Sequence, residues 1–304
     1  DTLSITMSHN GQSVVWYPGK PDPLNLKGTC RTLDGSNGDN KRSELEDGLI
    51  SRSGWAVIDD SWAAVRPDGS RSFALSPDQE VGYDWWRERK DPDASDLYFM
   101  GYGSEYKKAL ADFTKVAGKI PLPPDYVFGY WYSRYASYSD DDYRQIMSEL
   151  AENDIPTDVM ILDMDWHWNG DANCLSAGRG GWTGWSWNTN LIHDPVRLLN
   201  DIHDNKLRLA LNLHPADGIN NVESPRYYNA MKSELQGRYD NDGTIAWSID
   251  YTDFTRSFFK NVIRSLEDDG VDFWWLDWQQ HLTSPYTPGL GETFWCNHVF
   301  FNDM

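Results

Sequence analysis

Runs of mostly apolar residues alternate with helical segments in the second part of this sequence, and this alternation restricts the fold more than any other feature. The clearest runs cover residues 158–162, 207–213 and 271–276. The apolar residues in these runs are nearly continuous, whereas a strand with one solvent-exposed face alternates apolar and polar residues. Strands buried on both faces and separated by helices are typical of a parallel sheet. The sequence therefore predicts an α/β fold.

Helix signals fill the intervals between these runs. Ser139 precedes an acidic helical turn, and Asp194 precedes Pro195 at a first helical position, as N-cap residues do. The predicted helices cover residues 140–153, 195–205, 224–236 and 252–267, with an aromatic strand predicted at 126–132 and a short extra strand at 244–249. Together these segments make about four strand–helix units.

The polar residues at the strand ends distinguish between the two parallel architectures. Asp163 and Asp165 follow the second strand, His214 follows the third, and Asp277 ends the fourth. Barrel enzymes place their chemistry at the carboxyl ends of several strands. A doubly wound sheet more often has a glycine-rich turn after its first strand, and residues 133–138 contain none. We therefore predict a (β/α)8 TIM barrel.

The chain divides into regions of different character. Short β-like runs at residues 3–7, 13–17, 55–58 and 72–75 predict a β-sandwich-type N-terminal domain over residues 1–97. A connecting helix and linker are expected over 98–120, and residues 121–304 would form about the first half of the barrel. Half a barrel leaves open sheet edges, so we expect the chain to be part of a longer polypeptide.

The charge balance excludes one class of partner. The formal net charge of -20 would repel phosphate backbones, so we expect no nucleic-acid partner. No apolar run is long enough to span a bilayer. The sequence begins at Asp1 without a signal-peptide pattern, so the cellular compartment stays open. The oligomeric state also stays open.

Aromatic residues are unusually frequent, with 16 Trp and 16 Tyr. Aromatic faces stack on the C–H faces of sugar rings, and carboxylates accept hydrogen bonds from sugar hydroxyls. The cluster of Trp182, Trp185 and Trp187 fits either sugar stacking or loop packing. The composition therefore favours a carbohydrate substrate without requiring one.

Two motifs connect the chain to a known family. DVMILDMDWHWNG (158–170) and GVDFWWLDWQQ (270–280) each place a carboxylate beside Trp at a strand end. This arrangement resembles the glycoside hydrolases of family 31, the α-glycosidases. Residues 28–61, PPDYVFGYWYSRYASYSD (123–140), GWTGWSWN (181–188) and LNLHPADG (211–218) extend the resemblance in order along nearly the whole chain.

The resemblance implies a role for each matched residue. Asp277 matches the nucleophile that forms a covalent glycosyl-Asp intermediate, and Asp163 matches the carboxylate that binds the terminal sugar. Tyr135 matches an aromatic wall of the same subsite, and Trp275 and Trp278 bracket the nucleophile.

Three further residues are candidates for the sugar pocket, namely Asp165, Asn212 and His214. Asp165 could instead order the loop that follows it, and a histidine after a strand is often bonded only to backbone.

The implied reaction is retaining, exo-acting hydrolysis of an α-linked sugar. It needs a second carboxyl group roughly 5 Å from the nucleophile. In the family this acid/base aspartate lies on a later strand, so we expect it beyond Met304. Two carboxyl groups suffice for the chemistry, so we expect neither a cofactor nor a metal ion.

The sequence also departs from the family pattern near the sugar pocket. Gln279 and Gln280 replace the Asn-Glu pair common in α-glucosidases, and His214-Pro215 stands where many members have Asp-Pro. An α-galactoside or α-N-acetylgalactosaminide substrate therefore stays open beside an α-glucoside. Transglycosylation and a catalytically silent carbohydrate-binding relative are the remaining alternatives.

Overall fold

A computed structural model describes residues 3–28, 45–61, 82, 85, 95–168, 181–277, 284 and 291–303. The chain divides into two compact units. The first contains Asp1–Leu75 and Trp86–Leu122, and the second contains Ser76–Trp85 and Pro123–Met304.

The first unit is built from antiparallel strand pairs. Strand β1 (Ile5–His9) pairs with β2 (Gln12–Trp16), and β3 (Trp55–Asp59) pairs with β4 (Leu97–Gly101). Helix α1 (Tyr106–Ala117) follows. In the described part of this unit the four strands form two separate pairs, so the β-sandwich stays a prediction. The strand predicted at 72–75 lies outside the described residues.

The second unit alternates strands and helices as the sequence indicates. Its elements are β5 (Trp131–Tyr132), α2 (Asp140–Glu152), β6 (Val159–Leu162), α3 (Pro195–Asp204), β7 (Arg208–Leu213), β8 (Ile219–Asn220), α4 (Pro225–Glu234), β9 (Asp240–Asn241), β10 (Thr244–Ile245), α5 (Thr252–Phe258), α6 (Arg264–Asp269), β11 (Phe273–Leu276) and α7 (Glu292–Asp303). A π-helical turn, Phe259–Ile263, joins α5 to α6. Short 3-10 turns lie at Asp125–Phe128, Met164–Trp166 and Pro215–Asp217.

Four of these strands form one parallel sheet in the order β11-β7-β6-β5. Ile161 of β6 lies opposite Ala210 of β7, which in turn lies opposite Phe273 of β11. Because the three strands are in register, their carboxyl ends lie at the same edge of the sheet.

Each face of this sheet carries a different set of side chains. One face holds Val159, Ile161 and Ala210, and the partly buried Phe273 and Trp275 pack against them. The intervening residues point to the opposite face and are fully buried: Met160, Leu162, Leu209 and Leu211. Helix α3 contacts β7 and buries Leu198, Leu199 and Ile202. Burial on both faces explains why these strands are continuously apolar in sequence.

Two predicted helix starts are confirmed by their caps. The Ser139 hydroxyl accepts from the backbone N–H of Asp142, whose side chain accepts from the Ser139 N–H in return. Asp194 accepts from the backbone N–H of Arg197 at 3.1 Å, with Pro195 at the first position. Both caps satisfy N–H groups that a helix leaves without intrahelical partners.

The strand predicted at residues 126–132 is wrong in its first part. Asp125–Phe128 forms a 3-10 turn, and only Trp131–Tyr132 is extended. The reason is pairing, because Trp131 lies opposite Val159, the first residue of β6. The Tyr130 carbonyl still accepts from the backbone N–H groups of Asp158 and Val159, whereas the N–H groups of Val127 and Gly129 donate within the turn, to Pro124 and Tyr126.

Asp272 fixes β11 in its register beside β7. Its Oδ2 accepts from the backbone N–H of Leu209 at 2.8 Å and lies 2.8 Å from His203 Nε2. Its Oδ1 accepts from Arg208 Nη1 at 2.7 Å. This one carboxylate thus joins β11, β7 and helix α3 just before the strand begins.

We expect Asp272→Ala to lower the free energy of unfolding by about 1–3 kcal/mol, because a part-buried backbone N–H loses its acceptor. Urea denaturation measures the change. The control is Asp141→Ala, which removes an ion pair to Arg144 from a side chain that is 91% exposed. That loss should stay below about 1 kcal/mol. Equal losses in the two variants would contradict the role assigned to Asp272.

Candidate active site

The carboxyl ends of three neighbouring strands meet at one edge of the sheet. Asp163 follows β6, and Asp277 follows β11. His214 follows β7, and Asn212 lies within it. The backbone N–H of Asp277 donates to the Leu213 carbonyl at 3.0 Å, so the pairing of β11 with β7 continues up to the carboxylate. These four polar side chains therefore lie at the same edge.

Asp277 is held through one of its two oxygens. Asn212 Nδ2 donates to Asp277 Oδ2 at 2.8 Å. His214 Nε2 lies 3.5 Å from the same oxygen. The Asp277 side chain is 19% exposed, whereas Asn212 is fully buried. The carboxylate thus reaches solvent, while the amide that holds it does not.

Asp163 is the second carboxylate at this edge. Its side chain accepts from the backbone N–H of Met164 at 2.7 Å, which caps the 3-10 turn after β6. Burial raises the pKa of Asp163, the hydrogen bond from Met164 opposes the rise, and the charges of Asp277 and Asp165 add to it. The strands that Asp163 and Asp277 follow, β6 and β11, lie on either side of β7, so the two carboxyl groups lie at the same edge of the sheet.

Three other residues expected from sequence lie in the described part of the chain, namely Asp165, Tyr135 and Trp275. The Ser137 hydroxyl donates to Asp165 Oδ2, which joins the loop after β5 to the end of β6. Tyr135, in the same loop, is 64% exposed. Trp275 lies on the sheet face that carries Val159, two residues before the nucleophile candidate. Trp278 lies outside the described residues.

His214 is enclosed by the tryptophan-rich loop. The edge of the Trp182 ring meets the His214 ring at a centroid distance of 5.2 Å, and the Thr183 hydroxyl donates to the His214 carbonyl. Burial lowers the pKa of His214, and the Asp277 charge acts in the opposite direction. The balance favours a neutral imidazole beside the carboxylate.

The same loop packs on a second buried histidine. His167 Nδ1 lies 2.9 Å from the Trp168 carbonyl oxygen, and burial lowers the pKa of His167 to about 4. A Cβ atom on Gly184 would lie 2.1 Å from His167 Nδ1, so only glycine fits there. Trp185 in this loop is buried, and Trp187 Nε1 donates to Asp269. Loop packing therefore accounts for these two tryptophans.

Glu223 anchors this loop, a role that no sequence pattern predicts. Its Oε1 accepts from the backbone N–H groups of Trp185 and Ser186, both at 2.9 Å, and the Ser224 hydroxyl donates to its Oε2. Burial raises the pKa of Glu223 to about 7, against the lowering effect of these hydrogen bonds. An acidic residue just before a helix start resembles an ordinary surface residue, so no pattern identifies it.

A metal-ligand cluster and a membrane-spanning helix are both absent from the residues that the structure describes. Among them, no three His, Cys, Asp or Glu side chains are grouped as the ligands of a metal ion. Within the same residues, no helix has both the length and the apolar character needed to cross a bilayer.

The buried carboxyl group of Glu223 should make the free energy of unfolding depend on pH. Its pKa is raised from 4.5 to about 7, so the folded state favours the protonated form. This contribution to stability is complete below about pH 4.5 and is lost as the pH rises through about 7. We expect the difference in free energy of unfolding between the parent and Glu223→Gln to fall by roughly 1–3 kcal/mol between about pH 5 and pH 8.5, because only the parent loses the Glu223 contribution.

Urea denaturation across this pH range measures the slope, and Glu234→Gln is the matched control. Burial acts to raise the pKa of Glu234, but hydrogen bonds from Asn261 and Lys260 lower it overall. Its titration thus lies below the tested range, and the control should keep the parent slope. The same slope in the parent and in Glu223→Gln would contradict the prediction.

Comparison with known proteins identifies the family. The sequence model of the glycosyl hydrolases family 31 TIM-barrel domain matches residues 120–298. The α-xylosidase of Saccharolobus solfataricus is 27% identical over 246 residues, which are 81% of this chain and 29% of that protein. The α-glucosidase of the same organism is 22% identical over 192 residues, or 61% of this chain and 26% of that protein. The chain thus spans less than a third of the length of these relatives.

Solved structures share the fold. The cycloalternan-forming enzyme of Listeria monocytogenes, in complex with a pentasaccharide substrate, superposes with a TM-score of 0.59 at 15% identity, covering 84% of this chain and 27% of that one. This likeness shows the fold, an α/β TIM barrel. Since the family match at residues 120–298 covers more than half of the 304 residues, the chain belongs to glycosyl hydrolase family 31.

Proposed function

We propose that the protein carrying this chain is a retaining, exo-acting α-glycoside hydrolase and that Asp277 is its nucleophile. The observation that supports this most directly is the setting of Asp277. It lies at a strand end in the barrel domain of a glycosidase family, reaches solvent, and is held by Asn212 through one oxygen. Carboxyl ends of barrel strands are where enzymes of this fold carry their chemistry.

The proposed reaction is a double displacement. An oxygen of Asp277 attacks the anomeric carbon, the glycosidic C–O bond breaks, and a second carboxyl group protonates the leaving oxygen. Water, activated by that same second group, then releases the sugar from the glycosyl-Asp ester. We assign the second group to no residue of this chain and expect it on a later barrel strand.

Asp163 is proposed to bind the hydroxyl groups of the terminal sugar. An ionised carboxylate offers two acceptor oxygens to neighbouring hydroxyls. The position of Asp163 and Asp277 at the ends of strands on either side of β7 supports a sugar ring that is bound by Asp163 and lies beside Asp277. Tyr135, Trp275 and Trp278 are proposed as aromatic walls of the pocket, and Asp165 as a residue at its edge.

The half-barrel and the preceding β-sandwich domain remain part of this proposal. In the described part of the sheet, β5 and β11 are the two outer strands, and every residue of β11 is only partly buried. Phe273 and Trp275 point to the face that would form a barrel interior. Further strands would cover these side chains and close the sheet.

A panel of substrates can determine which sugar the protein cleaves. The relatives named α-xylosidase and α-glucosidase make α-xylosides and α-glucosides the first substrates to test. The departures at Gln279, Gln280 and His214 add α-galactosides and α-N-acetylgalactosaminides. The p-nitrophenyl α-glycosides of these four sugars cover the range, and added sugar acceptors distinguish hydrolysis from transglycosylation.

We expect Asp277→Ala in the whole protein to lose turnover by several orders of magnitude and to remain folded. A 5-fluoro glycosyl fluoride of the cleaved sugar should form a covalent adduct with Asp277, located by peptide mass spectrometry. Asp217→Ala is the control, because this exposed carboxylate lies three residues after His214. It should keep parental turnover. An adduct on another residue, or parental turnover in Asp277→Ala, would refute the assignment.

A further inference from the structure

We propose that Asn212 is a positioning residue, which holds Asp277 in the orientation for attack and does not bind the sugar. The inference rests on the proposed function of Asp277. It concerns a residue for which the sequence suggested only a place in the sugar pocket.

The burial of Asn212 excludes direct contact with a ligand in this structure. Its exposed fraction is 0%. It lies within β7 opposite Trp275, and its backbone carbonyl accepts from Trp166 Nε1 at 2.8 Å. The residue is thus fixed on both sides, and its amide reaches the site only through the 2.8 Å bond to Asp277 Oδ2.

Chemistry determines which end of the amide faces the carboxylate. A carboxylate oxygen accepts hydrogen bonds, so the NH2 group must face it, and the carbonyl end would be repelled. The other end of the amide is buried, and Asn212 Oδ1 has no hydrogen-bond partner among the described residues. Burying an acceptor in this way costs free energy. An apolar side chain of the same size at this position would avoid that cost in the free energy of folding.

The bond to Oδ2 has a consequence for the reaction. With Oδ2 held by the amide, a lone pair of Oδ1 forms the bond to the anomeric carbon. The glycosidic C–O bond breaks as before, and the leaving oxygen takes its proton from the second carboxyl group. Fixing one oxygen orients the other, and attack depends steeply on such orientation.

Within the part of the chain that the structure describes, two titratable groups interact with Asp277. Asp163 approaches from the end of β6, and His214 approaches from the end of β7, with Nε2 at 3.5 Å from Oδ2. His214 is therefore a second contact to the same oxygen. The His214 contact is longer than a normal hydrogen bond, whereas the Asn212 amide makes one at 2.8 Å.

The first test variant is Asn212→Leu, which keeps the volume and removes the donor. We expect the rate constant for covalent labelling of Asp277 by the 5-fluoro glycosyl fluoride to fall about 100-fold. The affinity for the free product sugar should stay at the parental value, because Asn212 does not touch it. The thermal unfolding temperature should stay the same or rise.

The second variant, Asn212→Asp, keeps the shape and replaces the donor by a like charge. At neutral pH its labelling should be slower than that of Asn212→Leu. As the pH falls, the introduced carboxyl group takes up a proton, which it donates to Oδ2 as the amide did. Labelling relative to the parent should therefore recover at acid pH. A purely structural role would produce no such recovery, and this test remains available even where the Leu variant does not fold.

The matched control is Asn261→Leu. Asn261 Nδ2 donates to Glu234 Oε2, also at 2.8 Å, but in the helical layer away from Asp277. It should lower stability and leave the labelling rate of the folded protein unchanged.

Three results would overturn the inference. These are parental labelling in Asn212→Leu, weakened sugar binding in that variant, or the absence of acid recovery in Asn212→Asp. If the parent itself forms no adduct on Asp277, the proposed function fails, and the inference fails with it.

Discussion

The in-register parallel pairing of β6, β7 and β11 is the constraint on which the candidate site depends. Each strand continues into a polar residue, and equal register brings Asp163, His214 and Asp277 to one edge. Because successive side chains point to opposite faces, a slip of β11 by one residue would turn Asp277 away from Asp163 and His214. Asp272, bonded to Leu209 at the start of β11, opposes such a slip.

Burial of ionisable side chains at the candidate site costs solvation free energy. Asp163 and His214 are both buried, and burial shifts their pKa values in opposite directions, each toward the neutral form. Asp277 keeps access to solvent, and its Oδ2 accepts a hydrogen bond from the neutral amide of Asn212. A surrounding loop, fixed by Glu223 and fitted to His167 through Gly184, covers the histidine side. The candidate site thus places a solvent-accessible carboxylate, Asp277, beside buried polar side chains.

Much of this was predictable because the signals are local. Strands buried on both faces leave continuous apolar runs, and helix starts need capping side chains within three residues, as at Ser139 and Asp194. The family motifs likewise lie within single segments of chain. The prediction failed at residues 125–128, which have the composition of a strand but close a 3-10 turn through local backbone hydrogen bonds.

The sequence by itself determined the α/β alternation, the helix starts, the family and the candidate nucleophile, because each depends on residues close together in the chain. Only the tertiary structure decided which groups touch. The bond between Asn212 and Asp277 joins residues 65 positions apart, and that between Glu223 and Trp185 spans 38. Such distances follow from strand register and loop packing, which are collective properties of the folded chain. They decide that Asn212 contacts Asp277 and that Glu223 supports the tryptophan-rich loop.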